Sequence, residues 1–201
     1  TVCGEVITQG QVIPAHCPSG AFCDLDPARW YHAYTDYVIE HGIMHGMGYG
    51  RFCPNSNLTR GQLVTTLYRL AGEPAVQDPA SFADVQGGAY YAKAVAWAEN
   101  CGIAQGMTAT RFAPDHMVTR EQAAVFLYRY VAEYLQQTPV QGADLSGFRD
   151  GDVVSDYAQM AVAWAVAEGF LEGYGDGLLG PQDAVTRAQM AKFLTFLDQK
   201  F

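Results

Sequence analysis

The sequence predicts an all-α fold in which three helix-pair repeats pack as one compact pseudo-threefold bundle. A Thr-Arg phrase occurs three times, as LTRGQ at 58–62, VTREQ at 118–122 and VTRAQ at 185–189. An apolar run of helical period follows each phrase, and a second helical run precedes it. Because two helices cannot bury their apolar faces alone, we expect the copies to close on one another rather than form a solenoid with open ends.

Each copy begins with a Phe-x-Asp phrase, then an aromatic residue and a first helix. The phrases are FCDL at 22–25, FADV at 82–85 and FRDG at 148–151. The aromatic residues are Trp30, Tyr90 and Tyr157. The first helices are predicted over roughly 28–41, 89–101 and 155–168. The glycines that follow favour the left-handed conformation at a helix C-terminus, and they are Gly42, Gly102 and Gly169.

A loop and a second helix complete each copy. The three loops share a glycine in register, which is Gly46, Gly106 or Gly173. The threonine of each Thr-Arg phrase precedes a glutamine by three residues, as in Thr59 and Gln62. This is the spacing of a capping box, in which two side chains satisfy the first unpaired backbone donors of a helix. Stability alone therefore explains the Thr and the Gln.

The repeats divide the chain into an extension and three copies within one domain. Residues 1–21 match nothing in the repeat, and we expect this cysteine-bearing N-terminal extension to pack against the first copy. The copies are predicted over 22–75, 82–135 and 148–199. The connectors are rich in Pro, Gly, Gln and Asp, which is typical of linkers.

Composition limits the partners of the chain. Of its 201 residues, 49% are hydrophobic and 16% are charged, which indicates a globular protein. The net charge of −9 argues against a nucleic-acid or anionic-membrane partner, because both would be repelled. No apolar run is long enough for a transmembrane helix, and no signal peptide is evident. Any anionic ligand must therefore be bound by a local cationic site.

The five cysteines are odd in number and concentrated near the N-terminus. They are Cys3, Cys17, Cys23, Cys53 and Cys101. One or two disulfides in an oxidising setting would suit this clustering, and free buried thiols are the alternative. No pair has the C-x-x-C spacing of a zinc or redox site, and we predict neither a metal nor a cofactor.

The arginines of the three phrases, Arg60, Arg120 and Arg187, need an explanation beyond helix capping. A cation at the first helical position is unfavourable by about 0.3–1 kcal/mol, because the helix dipole is positive there. A guanidinium beside free backbone N–H groups would, however, form a receptor for a carboxylate or a phosphate. The alternative is a salt bridge to the aspartate of a neighbouring Phe-x-Asp phrase, or simple solvation.

In order and spacing, these motifs resemble the S-layer homology (SLH) domain. The second copy is the fullest match, with FADVQGGAY from residue 82 and GIAQGMTATRFAPDHMVTREQAAVFLYR from residue 102. The resemblance covers three repeats over residues 22–199. Gln replaces the usual Glu of T-R-A-E in every copy, the first copy has Gly61 in its helix, and Leu179 replaces the phenylalanine of the other loops. We therefore expect the three binding grooves to differ.

The resemblance implies a pseudo-trimer within one chain, expected to be monomeric, that binds secondary cell-wall polysaccharide at the bacterial surface without catalysis. It implies grooves between adjacent repeats, and often a ketal-linked pyruvate on N-acetylmannosamine as the recognised group. The arginines would contact the pyruvate carboxylate, while the loop glycines and the aromatics shape the sugar pocket. The implied site residues are Arg60, Arg120, Arg187, Gly46, Gly106, Gly173, Trp30, Tyr90 and Tyr157.

Several other residues carry weaker predictions. His41 and His45 have a spacing that could bind a metal on a helix, but Gly42 is expected to end the helix between them. The acidic run RDGDVVSD at 149–156 lacks the glycine and the closing glutamate of an EF-hand, which favours a capped turn. Trp97 and Trp164 are expected in the core rather than at a sugar. Asp24, Asp84 and Asp150 are expected to cap the first helices or to pair with an arginine.

The sequence therefore predicts a noncatalytic, extracellular glycan-binding anchor. The alternative is a protein-interaction or structural module in which the grooves are vestigial and the acidic surface docks a partner. An enzyme finds no support, because no nucleophile–base pair or paired-carboxylate motif is present.

Overall fold

The computed structural model describes residues 17–201, and this part of the chain is helical. The six α-helices are α1 (His32–Glu40), α2 (Arg60–Leu70), α3 (Ala92–Asn100), α4 (Arg120–Arg129), α5 (Gln159–Ala167) and α6 (Arg187–Lys200). Short 3-10 turns lie at Pro18–Ala21, Leu145–Gly147, Gly151–Val153 and Asp156–Ala158, and a π-turn at Tyr130–Tyr134 extends α4. Within 17–201 the extended segments form only isolated bridges and no sheet. The predicted all-α class is confirmed.

The second helices begin where the sequence predicts. Helices α2, α4 and α6 each start at the arginine of a Thr-Arg phrase. Both halves of the capping box are present in all three: the threonine hydroxyl accepts from the glutamine N–H, and the glutamine side chain accepts from the threonine N–H. These boxes fix the entry of each second helix.

The first helices begin three to four residues later than predicted. In the first copy, Arg29 N–H donates to Asp26 O and His32 N–H donates to Arg29 O, which are successive turn bonds rather than helical ones. Their C-termini agree with the prediction, because Gly42, Gly102 and Gly169 all have φ between +68° and +76°. The residue after each glycine is buried, as the cap requires.

The helices pack as a closed ring. Helix α2 lies against α3, α4 lies against α5, and α6 lies against α1, so the last copy returns to the first. At the centre, Val118 N–H donates to Leu58 O, Val185 N–H to Val118 O, and Leu58 N–H to Val185 O, at 2.8–2.9 Å. Each copy thus donates to one neighbour and accepts from the other.

The core lies between the helices and includes both predicted core tryptophans. Trp97 and Trp164 are almost fully buried, and neither indole N–H has a hydrogen-bond partner among residues 17–201. Of the predicted N-terminal extension, only residues 17–21 are described, and their 3-10 turn packs against α1.

Candidate functional site

Each Thr-Arg arginine is buried and reaches into the loop of the next copy. Arg60 is 4% exposed; its Nε donates to Phe112 O at 2.8 Å, and its Nη2 donates to Gln105 O at 2.7 Å. Arg120 bonds Leu179 O and Glu172 O in the same way. Arg187 closes the ring by bonding Phe52 O and His45 O. The guanidinium groups therefore hold the three loops in place.

One nitrogen of each guanidinium remains available. Within residues 17–201, Nη1 of these arginines has no protein hydrogen-bond partner, yet it is not among the buried unpartnered atoms, so it contacts solvent. The salt bridge to the Phe-x-Asp aspartates, which was the alternative to a ligand role, does not form in this part of the chain. A ligand would therefore meet Nη1 rather than the whole guanidinium fork.

The expectation of free backbone N–H groups at these helix starts is wrong. Arg60 N–H donates to His116 O and Gly61 N–H donates to Pro114 O, while the capping threonine takes the N–H of Gln62. The other two helices repeat the pattern with carbonyls of the next loop. Closing the ring uses the helix-start N–H groups that an anion would need, so these donors are not available to a ligand.

The Phe-x-Asp aspartates hold the loops rather than the helices. Asp84 Oδ1 and Oδ2 accept from Phe112 N–H and Ala113 N–H, both at 2.8 Å. Asp24 and Asp150 bind the equivalent pairs of amides. The prediction that they cap the first helices is wrong, because those helices have no side-chain cap. Asp84 does lie 3.8 Å from the exposed Arg111, so the predicted arginine pairing holds for that copy.

The loop glycines permit close packing of the phenylalanine from the Phe-x-Asp phrase. A Cβ at Gly173 would lie 2.7 Å from the Phe148 ring, and Cβ atoms at Gly46 and Gly106 would collide with Phe22 and Phe82. The glycines are thus required by the fold, whatever their role toward a ligand.

Three clefts lie beside the arginines, and each combines all three copies. We name each cleft by its arginine. The Arg60 groove, of about 320 Å³, is lined by Gly106 and Tyr157. The Arg187 groove, of about 270 Å³, is lined by Gly46 and Tyr90. The Arg120 groove, of about 220 Å³, is lined by Gly173 and Trp30. The nine predicted site residues therefore meet as three trios, each with an arginine, a loop glycine and an aromatic from different copies.

The aromatic residue of each trio is exposed, unlike the tryptophans of the core. Trp30, Tyr90 and Tyr157 are 54%, 63% and 58% exposed. Large aromatic side chains gain from burial, so three exposed ones beside three clefts form surfaces suited to a ligand with an apolar face.

Each groove also holds a second cation that was not predicted from the sequence. Arg129 lines the Arg60 groove, Arg69 lines the Arg187 groove, and Lys192 lines the Arg120 groove. A Tyr-Arg phrase at 68–69 and 128–129 was the available signal. The third copy lacks it and supplies its lysine one turn earlier on the helix.

The neighbours of these second cations differ. Arg129 Nη2 donates to the neutral Gln105 side chain at 3.0 Å, and Arg69 lies 3.9 Å from Glu73. Lys192 Nζ lies 2.6 Å from Glu172, which itself lines the Arg120 groove. The Arg120 groove is therefore the least favourable of the three for an anion.

We call Arg60, Arg120 and Arg187 the framework arginines, because they hold the loops in place. Burial lowers their pKa without neutralising them. Loss of solvation lowers the pKa of Arg60 to about 10, and it lowers the pKa of Arg120 and Arg187 as well. Guanidinium groups stay protonated in proteins, so all three remain cationic near neutral pH. Burial lowers the pKa of His45 in the Arg187 groove, and Arg69 adds to that effect, so His45 is less readily charged.

Glu121 stabilises one wall of the Arg60 groove. It is 2% exposed, and its carboxylate accepts from Ser155 N–H, Ser155 Oγ–H and Tyr157 Oη–H at 2.8–3.0 Å. Burial raises the pKa of Tyr157 to about 12, with Glu121 contributing. The first copy has Gly61 and the third has Ala188 at this position, so among residues 17–201 only the Arg60 groove has its aromatic fixed by a carboxylate.

Comparison with protein families agrees with this threefold arrangement. The model of the S-layer homology domain matches residues 24–64, 81–124 and 147–191, which together are more than half of the chain. The chain belongs to the S-layer homology domain family. An SLH region is a noncatalytic anchoring module of the cell surface, and SLH domains bind cell-wall components.

Similar proteins contain an SLH region within longer chains. The chain is 31% identical over 176 residues to an endoglucanase of Bacillus sp. (strain KSM-635), covering 88% of this chain and 18% of that protein. It is 29% identical over 193 residues to the S-layer protein sap of Bacillus anthracis, covering 96% and 23%. It is 30% identical over 158 residues to the surface-layer 125 kDa protein of Lysinibacillus sphaericus, covering 77% and 13%. The chain thus spans less than a quarter of these relatives.

The family and its S-layer relatives indicate a location at the cell surface, associated with the cell wall. None of the helices within 17–201 is long and apolar enough to cross a membrane.

The predicted disulfides do not form among residues 17–201. Cys17, Cys23, Cys53 and Cys101 are all free thiols, so no pair forms among residues 17–201, and Cys3 lies outside them. His41 and His45 belong to no cluster of three or more possible metal ligands within this range, and His41 Nδ1 bonds Tyr37 O.

Proposed function

We propose that this SLH module binds an anionic secondary cell-wall polysaccharide in its three grooves, with a ketal-linked pyruvate as the recognised group. The supporting observation is that the same trio recurs in each cleft: an arginine with an accessible Nη1, an exposed aromatic and a loop glycine. Binding without catalysis is the role that this arrangement supports.

A carboxylate is the ligand group that best fits Nη1 and the second cation. A hydrogen bond to a charged group contributes about 1.5–3 kcal/mol, and the two oxygens of one carboxylate can accept from both cations. The overall charge of −9 disfavours a polyanion. A glycan with widely spaced single charges meets the local cations without presenting a dense charge to the rest of the surface.

The aromatic residues are proposed to contact the apolar face of a sugar ring. Each is exposed at the edge of its cleft, so the ring and the cations can contact one ligand together. We rank the grooves by charge. The Arg60 groove is expected to bind most tightly, the Arg187 groove next, and the Arg120 groove most weakly because Glu172 lies beside Lys192.

The test changes the second cations, because the framework arginines also hold the loops. Isothermal titration with purified cell-wall polysaccharide should show more than one class of site in the unaltered protein. Arg129→Gln should weaken the tightest class about tenfold, which is the loss of one charged hydrogen bond. Arg69→Gln should weaken a second class, and Lys192→Gln should change little.

The matched control is Lys93→Gln, which removes one exposed positive charge outside the three grooves.

Glycan from which pyruvate has been chemically removed should lose most of its affinity for the protein. Equal binding of both glycans would show that the carboxylate is not recognised. Capture of a surface protein with no binding to the isolated glycan would favour the interaction-module alternative.

A further inference from the structure

We propose that Cys17, His32 and Asp36 form a zinc site that joins Cys17, which directly precedes the 3-10 turn Pro18–Ala21, to α1. No metal site was expected from the sequence, so this inference departs from that expectation. Among residues 17–201, these are the only three potential ligand residues that come together. The site is separate from the three grooves, and the proposal does not rest on glycan binding.

Local structure brings the three side chains together. His32 and Asp36 are four residues apart on α1, so they lie on one face of the helix. Cys17 directly precedes the 3-10 turn Pro18–Ala21, which packs against α1. Ser19 N–H donates to Asp36 Oδ1 at 2.8 Å, and this bond orients the carboxylate. Metal-bound carboxylates usually have such a supporting hydrogen bond.

The distances between ligand atoms match the edges of a tetrahedral zinc site. With a Zn–S bond of about 2.3 Å and Zn–N and Zn–O bonds of about 2.0–2.2 Å, tetrahedral angles place S and N, or S and O, about 3.5 Å apart and N and O about 3.3 Å apart. Cys17 Sγ lies 3.8 Å from His32 Nε2 and 3.6 Å from Asp36 Oδ2, and Nε2 lies 3.3 Å from Oδ2. One ion can therefore contact all three atoms with little movement.

Hydrogen bonding alone accounts poorly for this cluster. The N···O separation of 3.3 Å exceeds the usual 2.7–3.2 Å range, and the thiol is equidistant at 3.6 Å from both oxygens of Asp36. Both Cys17 and Asp36 also point at the same nitrogen of His32, Nε2. A proton relay would instead place them on opposite ring nitrogens, so the convergence favours an ion at the centre.

The chemistry of the donors favours zinc over calcium or magnesium. Thiolate and imidazole are ligands of zinc, whereas calcium and magnesium require mainly oxygen. Zinc binds the thiolate form of cysteine, so binding would displace the thiol proton of Cys17, and three protein ligands leave the fourth position for water.

The surroundings of His32 set the expected affinity for zinc. His32 Nδ1 is buried and has no partner within residues 17–201, although metal-bound histidines usually donate this N–H. Loss of such a contact typically weakens metal binding 10–100-fold, so we expect an affinity below that of a four-ligand structural zinc site. The ion would close the loop between Cys17 and His32 and fix the start of α1.

The test is a titration of the full 201-residue chain, reduced and metal-free, with Co²⁺ as a spectroscopic probe. One equivalent should give visible d–d bands of tetrahedral cobalt and a near-ultraviolet sulfur-to-cobalt charge-transfer band, and Zn²⁺ should abolish both. Cys17→Ser should remove the charge-transfer band and weaken binding by more than about 100-fold, because it deletes a direct ligand. Asp36→Asn should weaken binding as well.

Cys101→Ser is the matched control, because it removes a half-buried thiol that belongs to no ligand cluster. It should leave the spectrum unchanged. Circular dichroism before metal addition establishes that each variant is folded. The proposal is overturned if the unaltered protein gives no tetrahedral cobalt spectrum, or if Cys17→Ser keeps the charge-transfer band.

Discussion

The Arg60 and Arg120 grooves share one framework and differ in their lining. In both, the arginine donates through Nε and Nη2 to two loop carbonyls, and an aspartate binds two amides of the same loop. The lining of the Arg60 groove is neutral or cationic, whereas the Arg120 groove contains Glu172. The framework is common to the copies because closing the ring requires it, and the lining is free to diverge.

The framework also gives the repeated arginine a role in stability. Its partners are carbonyl oxygens on another copy, so one side chain fixes the loop and the contact between repeats together. The unfavourable position beside the helix dipole is offset by two charged hydrogen bonds and by Phe112, whose ring centre lies 4.5 Å from the Arg60 guanidinium. Any ligand role of Nη1 adds to this structural one.

The largest expected effect is the loss of a framework arginine. Arg60→Ala leaves Phe112 O and Gln105 O without their donor and creates a cavity at a buried position. We expect the free energy of unfolding to fall by about 3–5 kcal/mol, measured by urea denaturation. Because the framework is shared, Arg120→Ala should cost a similar amount.

Arg129→Ala is the control for this prediction, since Arg129 lines the same groove but, within residues 17–201, bonds only the Gln105 side chain. It should change stability by less than about 0.5 kcal/mol. Similar losses in Arg60→Ala and Arg129→Ala would contradict the division between framework and lining.

An intermediate effect is expected from Glu121, which distinguishes the Arg60 groove from the others. In Glu121→Gln, an amide NH₂ replaces one acceptor oxygen, so either the Ser155 N–H or the Ser155 and Tyr157 hydroxyls lose an acceptor. The expected cost is about 1–2 kcal/mol in urea denaturation. Glu99→Gln is the matched control, because Glu99 accepts equivalent bonds from the exposed Ser81, and it should cost little.

The same substitution changes the high-pH behaviour. The pKa of Tyr157 in the folded protein is about 12, above the ordinary value of 10.0, so folding favours the protonated phenol. That contribution is complete below pH 10 and is lost as the pH rises toward 12. Glu121→Gln should lower the pKa of Tyr157, and an NMR titration of the Tyr157 ring measures the shift. An unchanged pKa would show that Glu121 does not act on the phenol.

Much of the fold could be predicted from the sequence because its signals are local. The capping boxes, the left-handed glycines and the helical periodicity each occupy a few consecutive residues. The starts of the first helices were missed, because turn bonds such as Arg29 N–H to Asp26 O precede the helix without a distinct residue pattern.

The partners of the repeated arginines and aspartates could not be predicted in the same way. Every residue carries a carbonyl and nearly every residue an amide, so nothing in the sequence marks Phe112 O as the acceptor for Arg60 or Phe112 N–H as the donor to Asp84. The grouping of the site trios depends on how the ring closes, which places Tyr157 of the third copy beside Arg60 of the first.

The smallest expected effect would make the Arg120 groove resemble the Arg60 groove. Glu172→Gln removes the carboxylate that pairs with Lys192 and leaves a cation available to an anionic glycan. Exposed ion pairs contribute only about 0.2–1 kcal/mol, so we expect the affinity of this groove to rise about two- to fivefold. The titration should be made in a protein that also carries Arg129→Gln and Arg69→Gln, so that the Arg120 groove dominates binding.

Glu40→Gln is the matched control, because Glu40 is an exposed glutamate that lines none of the three grooves, so the substitution makes the same charge change elsewhere. An equal gain in both variants would mean that net charge, rather than the lining of the Arg120 groove, controls the affinity. The dependence of the affinity on salt concentration also distinguishes an effect of net charge from a direct contact. Screening over about 8 Å at 0.15 M ionic strength suppresses a long-range effect of net charge, whereas a direct contact between Lys192 and the bound anion should persist.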